Sequence, residues 1–219
     1  MIKVTLDKPW LVANLAQKMR VLSWALHGGG YTATRTVAWR EVRNADLPIG
    51  FDVETWFSAE MRRYPGAVGM MTSRDIATFT QATRQVGHVS ASCLATVGLT
   101  NGEAVGKRRS FGPRDFGTIN ILVATNAPLT ETAQLEALSI AVQARTAAVL
   151  SAGVDMGTGP VTGTGTDCLA LACMPGDTPY AGLHTEVGEA VGAAVRAAVS
   201  EGAEDWKRWY AMKLAEQRV

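Results

Sequence analysis

Residues 157–171 read GTGPVTGTGTDCLAL, and no other stretch constrains this chain as strongly. Glycine alternates with threonine, one carboxylate follows, and an apolar run begins at once. Gly157, Gly159, Gly163 and Gly165 remove side-chain bulk, so the backbone can bend sharply and come close to a ligand. Thr158, Thr162, Thr164 and Thr166 place hydroxyls along that backbone. Asp167 then stands at the mouth of a strand, where a fixed acid can act on whatever the loop holds. A solvent-exposed linker would be more polar and would not lead straight into CLALA. The stretch reads as a site built into a core element.

Its surroundings predict the architecture. Residues 168–174 follow it as a strand. Thr185 can cap a helix with Val187, Val191, Val195 and Val199 in one stripe, and with Gly188 and Gly192 on a face that another backbone can approach. Upstream, Thr130 can cap a helix to about residue 150 with Leu135, Leu138, Val142 and Val149 on one face. Residues 2–6, 19–26, 32–42, 67–72, 78–86, 88–97 and 118–125 read as strands, with Gly87 at a hairpin turn. Asp52 caps a short helix in which Val53, Phe57 and Met61 recur every fourth position, stopped by Pro65-Gly66. Residues 100–116 are polar, glycine-rich and basic, a loop. Strands dominate the first half and alternate with helices in the second. The expected class is α+β, a mixed α/β sandwich with a largely antiparallel sheet covered by long C-terminal helices.

No linker or repeat divides the 219 residues, so one domain over 1–219 is expected, with 200–219 a charged helix carrying Trp206, Trp209 and Tyr210. Those aromatics suit core packing or a homodimer contact. A net charge of +1 gives no electrostatic case for nucleic acid or an anionic membrane. Asp7 and Lys8 stand where a signal peptide has its apolar core, and no run reaches the 18 or so apolar residues of a membrane span. Three cysteines, Cys93, Cys168 and Cys173, form no CxxC pair and read as buried thiols. A cytoplasmic location follows.

Several chemistries are absent from the pattern. There is no GxxxxGK[ST], no HExxH or spaced Cys/His set and no GxSxG elbow; no metal site and no cofactor is expected. Four clusters of small residues remain: 23–30 (SWALHGGG), 69–73 (GMMTS), 96–101 (TVGLTN) and the opening stretch. Each flanks a predicted strand, so all can meet at one edge of the sheet, where turn amides bind oxyanions. His184 precedes a helix and can act as general acid or base beside Asp167. His27, before three glycines, can touch a ligand; His88 in the hairpin is structural. Amide hydrolysis fits this inventory: Asp167 and His184 handle protons while Asn101 and glycine-loop amides hold the oxyanion. Thr164, Thr166 or Ser23 are alternative nucleophiles without a dedicated base. Cys168 is discounted, because neighbours on a strand point to opposite faces.

In order along residues 21–199, the segments LSWALHGGG, VGMMTS, ATVGLTNGEAVG, GTINILVATNAPLT, LEALSIAVQART, TGTGTDCLAL and YAGLHTEVGEAVG resemble the successive motifs of the adenosylcobinamide amidohydrolase family. The resemblance implies hydrolysis of the amide joining the corrin ring side chain to its aminopropanol arm. The product would be adenosylcobyric acid, in corrinoid salvage for adenosylcobalamin synthesis. The adenosylated corrinoid is then the substrate and not a cofactor. Motif membership adds Ser23, His27, Gly28, Gly29, Thr72, Asn120, Thr164, Gly165, Thr166 and Thr185 as substrate-binding candidates around catalytic candidates Asp167, His184 and Asn101. Three positions depart from the family pattern: His27 where asparagine is usual, Arg145 where lysine is frequent, and Cys168 where alanine is frequent. The sequence has no DxHxxG segment of the kind used by corrinoid-dependent enzymes. A non-catalytic corrinoid-binding or trafficking protein of the same fold is the alternative, and an enzyme for another bulky amide is a third reading.

Overall fold

The computed structural model describes residues 2–43, 46–47, 50–107, 116–157 and 159–216. Thr158, and Arg108 and Arg109 of the expected basic loop, lie outside the described residues. The elements in order are β1 (Ile2–Asp7), β2 (Trp10–Ser23), β3 (Gly30–Glu41), α1 (Val53–Glu60), β4 (Val68–Thr72), β5 (Thr80–Val86), β6 (Val89–Val97), β7 (Gly102–Glu103), β8 (Ile119–Thr125), α2 (Glu131–Ser151), β9 (Gly163–Thr164), β10 (Cys168–Cys173) and α3 (Glu186–Glu216). The eight-stranded sheet runs β4-β3-β2-β10-β8-β6-β5, with β1 also paired to β2, and β7 and β9 form a separate ribbon. β10 with β8 and β3 with β4 are parallel; the other pairs are antiparallel. This is the expected α+β class with its largely antiparallel sheet.

The long strand β2 makes the sheet fold on itself. Its first half pairs with β1 and its last four residues with β10, while its register to β3 shifts between Asn14 and Met19. Such an irregularity bends a strand and increases its twist. One half-sheet therefore packs over the other around Leu11, Val21, Trp39, Met70, Leu94, Leu122 and Ala170. On the far side of β6, β8 and β10, α2 and α3 close a second core that contains the whole Val187, Val191, Val195, Val199 stripe and Trp206. On the far side of β2 and β3, Phe57 and Met61 cover Trp10, Val12 and Ala38. The layers are thus helix, half-sheet, half-sheet, helix.

Two readings need correction. β2 starts nine residues before the expected strand, because Trp10, Leu11, Val12 and Ala13 are all buried and a strand covered on both faces shows no alternation. The stripe expected on α2 is buried in part: Val149 is fully buried and Leu138 and Val142 pack against the core, but Leu135 is 54% exposed, and Ala133, Ala137, Ile140, Ala141 and Ala148 make up the rest of the buried face. Small side chains let α2 lie close to α3 and the sheet. The caps at Asp52 and Thr130 form as expected, each accepting from a backbone amide three residues on. Gly188 admits a backbone, since a Cβ there would sit 2.2 Å from the Gly182 carbonyl oxygen. Among the described residues no helix is long and apolar enough to cross a membrane.

Candidate active site

A cavity of about 480 Å³ opens where β4 ends and where β8 and β10 begin. All four small-residue clusters reach it. The first gives Trp24 and Leu26, the second Met70 to Ser73, the third Asn101, and the opening stretch Gly165 to Cys168; Thr118 and Asn120 come from the entry to β8. The walls are mostly apolar with a few convergent polar groups, the usual make-up of a small-molecule site.

Asp167 is fastened from every side. Its Oδ2 lies 2.6 Å from Arg145 Nη1 and accepts from the Thr164 amide at 3.1 Å. Its Oδ1 accepts from the Ile119 amide at 3.2 Å and from the Thr164 hydroxyl. Trp24 Nε1 donates to its carbonyl at 2.6 Å. Burial pushes the carboxyl pKa up, against the pull of the Arg145 guanidinium and the donors at Thr164 and Ile119. Arg145, reaching out from α2, also donates to the Thr162 carbonyl at 2.9 Å. A Cβ on Gly163 would stand 1.7 Å from Arg145 Nη1, so that glycine admits the guanidinium, not a ligand. Gly157 and Gly159 serve a different turn, both donating to Asp155 Oδ1.

The asparagines divide. Asn120 Nδ2 donates at 2.6 Å to the Met71 carbonyl and so ties β8 to β4 across the two half-sheets. Among the described residues Asn101 Nδ2 makes one long contact, 3.4 Å to Thr166 Oγ1, and its Oδ1 is buried without a partner. Thr166 in turn donates to the Gly117 carbonyl and accepts from Thr118 through its own carbonyl. Thr72 Oγ1 accepts from the Arg74 amide. Cys168 lines the cavity together with Asp167, because Asp167 precedes β10 and does not follow the strand alternation. Burial and the Asp167 charge push the Cys168 thiol up to about 12, which keeps it protonated and a poor nucleophile.

The other candidates lie elsewhere. Ser23 accepts from the Ala25 amide behind the wall. The His27 backbone exchanges hydrogen bonds with Gly69, and its ring stands edge-on to Phe57 at 6.4 Å. Gly28, at φ +69, and Gly29 are packed against the carbonyls of Ala67 and Ala25. His184 and Thr185 line a separate open cavity with Glu136 and Tyr180. β10 carries the chain about 20 Å away from Asp167 (six residues at the usual rise), and the segment after it returns along α2, where Glu136 accepts from the Ala181 amide. The structure therefore brings Asp167, Asn101, Asn120, Thr72, Gly165 and Thr166 together and leaves His184 and Thr185 at another place. Arg145, Trp24 and Thr118 were not among the site residues expected; only the departure at Arg145 had drawn notice to it. Among the described residues no group of three or more His, Cys, Asp or Glu side chains could hold a metal ion.

Comparison with known proteins points the same way. The profile of the family described as adenosylcobinamide amidohydrolase matches residues 2–211. A Halobacterium salinarum protein named adenosylcobinamide amidohydrolase is 36% identical over 85 residues, 38% of this chain and 34% of that protein. An uncharacterized Methanocaldococcus jannaschii protein, MJ1613, is 35% identical over 91 residues, 40% of this chain and 36% of its own length. The alignments thus span about a third of each of these curated relatives. The crystal structure of the PH0078 protein from Pyrococcus horikoshii OT3 aligns over 91% of this chain and 78% of that one, at TM-score 0.44 and 12% identity.

Proposed function

Because this chain belongs to the adenosylcobinamide amidohydrolase family, we propose that it hydrolyses the amide between a corrin ring side chain and the aminopropanol arm of adenosylcobinamide. The products are adenosylcobyric acid and aminopropanol, and the reaction serves corrinoid salvage for adenosylcobalamin synthesis. The observation that carries this reading is the convergence of four chain-distant motifs on one largely apolar cavity that holds a single buried carboxylate among its described lining residues. The corrinoid is the substrate; the proposal calls on no separate cofactor. The location proposed is the cytoplasm, in keeping with three buried free thiols.

The chemistry assigned to the site is short. A water attacks the amide carbonyl and passes a proton to Asp167. The C–N bond breaks as that proton moves to the leaving amine, and a C–O bond has formed in its place. A carboxyl whose pKa is raised by burial suits this exchange better than an exposed one. The Asn101 side-chain amide, held loosely by Thr166, is assigned to the oxyanion or to the substrate amide. Arg145 and Thr164 hold Asp167 in place. Asn120 and Thr72 shape the wall.

The test is incubation of the purified chain with adenosylcobinamide, followed by chromatography for adenosylcobyric acid. Product at a rate that scales with protein supports the reading. Saturable binding without product would favour a non-catalytic corrinoid-binding or trafficking protein, and the absence of both would remove corrinoids from the account.

A further inference from the structure

Beside the main cavity lies a second chamber of about 210 Å³, which shares Ser73, Phe116 and Gly117 with it. Its chemistry differs from that of its neighbour. Trp209, on α3, lines it, and the Arg74 guanidinium stands 4.9 Å from the indole centroid. Arg74 is itself neutralised by Asp205 at 2.6 Å, with only 6% of its side chain exposed. Glu41 also lines it, its Oε2 accepting from the Ile76 amide at 3.2 Å and lying 3.9 Å from Lys8 Nζ, and Asp75 pairs with Lys8 at 2.7 Å. Among the described residues three carboxylates, Glu41, Asp75 and Asp205, thus stand against three cations, Lys8, Arg74 and Arg208, in and around the chamber.

This combination selects a class of ligand. An indole capped by a guanidinium offers flat π-surfaces on which a purine can stack. A carboxylate has acceptor sites to spare after one amide, and a ribose diol is a matching donor. Each of these cations already faces a carboxylate, which disfavours a phosphate. A volume below that of a drug-sized pocket fits one nucleoside-sized group. The shared wall places the chamber next to the main cavity, within reach of a group projecting from a ligand held there.

We propose that this chamber is a nucleoside subsite, in which Trp209 and Arg74 receive the purine and Glu41 the ribose hydroxyls of the adenosyl group carried by the corrinoid. The assignment rests on the corrinoid reading for its physiological ligand, but not for its chemistry. Glu41 and Trp209 act here as specificity determinants, remote from the scissile amide.

Calorimetric titration of the full chain with 5′-deoxyadenosine and, separately, with adenosine 5′-monophosphate tests the chamber alone. The nucleoside is expected to bind, the nucleotide to bind at least about tenfold more weakly, and Glu41→Gln and Trp209→Ala each to weaken the nucleoside at least about tenfold. In turnover, the ratio of kcat/KM for adenosylcobinamide over dicyanocobinamide should fall by a similar factor in both variants. Trp209 packs partly on the core; if Trp209→Ala does not fold, Glu41→Gln decides. No nucleoside binding, equal binding of the nucleotide, or variants with wild-type affinity and ratio overturn the proposal. A chain that hydrolyses neither corrinoid yet binds the nucleoside as described refutes the amidohydrolase reading and leaves the subsite standing.

Discussion

Arg145 Nη1 and Asp167 Oδ2 lie 2.6 Å apart, with 12% and 7% of their side chains exposed. The pair joins α2 to the turn before β10, so the acid of the candidate site is anchored to the helical layer and not to its own strand. A buried charge pair of this kind contributes modestly as a whole but is costly to break on one side.

Asp167→Asn therefore has two expected effects. Turnover falls at least about 100-fold, the loss typical of removing a general acid or base. Stability falls by about 3–5 kcal/mol, because Arg145 is left buried beside a neutral partner. The two are separated by the pH profile of kcat/KM. In the wild type an ionised Asp167 takes the proton, so activity rises with pH through a limb above the ordinary carboxyl value of 3.8, as burial has raised this group. A variant that loses stability but keeps wild-type turnover and the same acid limb would show that Asp167 only anchors the turn.

Cys168 sits in the cavity wall but should be chemically quiet. With its thiol pushed up to about 12, about one molecule in 10⁴ carries the thiolate at pH 8. Iodoacetamide at pH 8 should leave Cys168 of the native chain unmodified over the time in which the urea-unfolded chain reacts fully. The raised value keeps the neutral form dominant until far above physiological pH. Rapid labelling of native Cys168, read by peptide mass spectrometry, would contradict this and reopen a nucleophilic role.

The orientation of α2 is testable by a pair of substitutions on opposite faces. Leu135 is exposed, whereas Ala137 is fully buried. Leu135→Gln should change stability by no more than about 0.5 kcal/mol, as is usual at exposed positions. Ala137→Leu should cost about 1–3 kcal/mol through overpacking. Urea denaturation of both variants measures this; the reverse order would mean that Leu135 is the buried position.

Much of the fold could be read from residues whose local physics agrees with their tertiary setting. The α3 valines, the Asp52 and Thr130 caps and the two strands on either side of Gly87 belong to this group. Legibility failed where packing overrode pattern. The start of β2 is buried on both faces, and α2 buries alanines beside Leu138, Val142 and Val149 while Leu135 faces out. In the site, the four glycine- and threonine-rich clusters were legible because turns need small residues wherever strands end. Trp24 lies inside a legible cluster and Arg145 at a departure from the family pattern, but their contacts with Asp167 had no such signal, since each reaches that turn from a segment more than twenty residues away and only the folded topology brings them together. The His184 placement shows the converse. Seventeen positions from Asp167 in sequence looked close, yet β10 spans that interval by crossing the sheet.

The two asparagines of the cavity should respond in opposite ways, and the contrast tests the assignment of roles. Asn120 is 1% exposed and its amide satisfies the Met71 carbonyl between the half-sheets. Asn120→Ala leaves that carbonyl unpaired, at a cost of about 1–3 kcal/mol, and its effect on turnover should follow from loosened packing alone. Among the described residues the Asn101 side chain makes a single contact at 3.4 Å and keeps a buried oxygen without a partner, so little stability depends on it. Removing an oxyanion donor typically lowers kcat by about 10²–10³, and Asn101→Ala should fall in that range while its urea midpoint stays near wild type. Asn101→Asp sharpens the point: a carboxylate in the same place repels the developing oxyanion, so it should be no better than alanine. If Asn101→Ala instead unfolds readily and Asn120→Ala loses turnover at full stability, the roles are exchanged, and the oxyanion is held at the entry to β8.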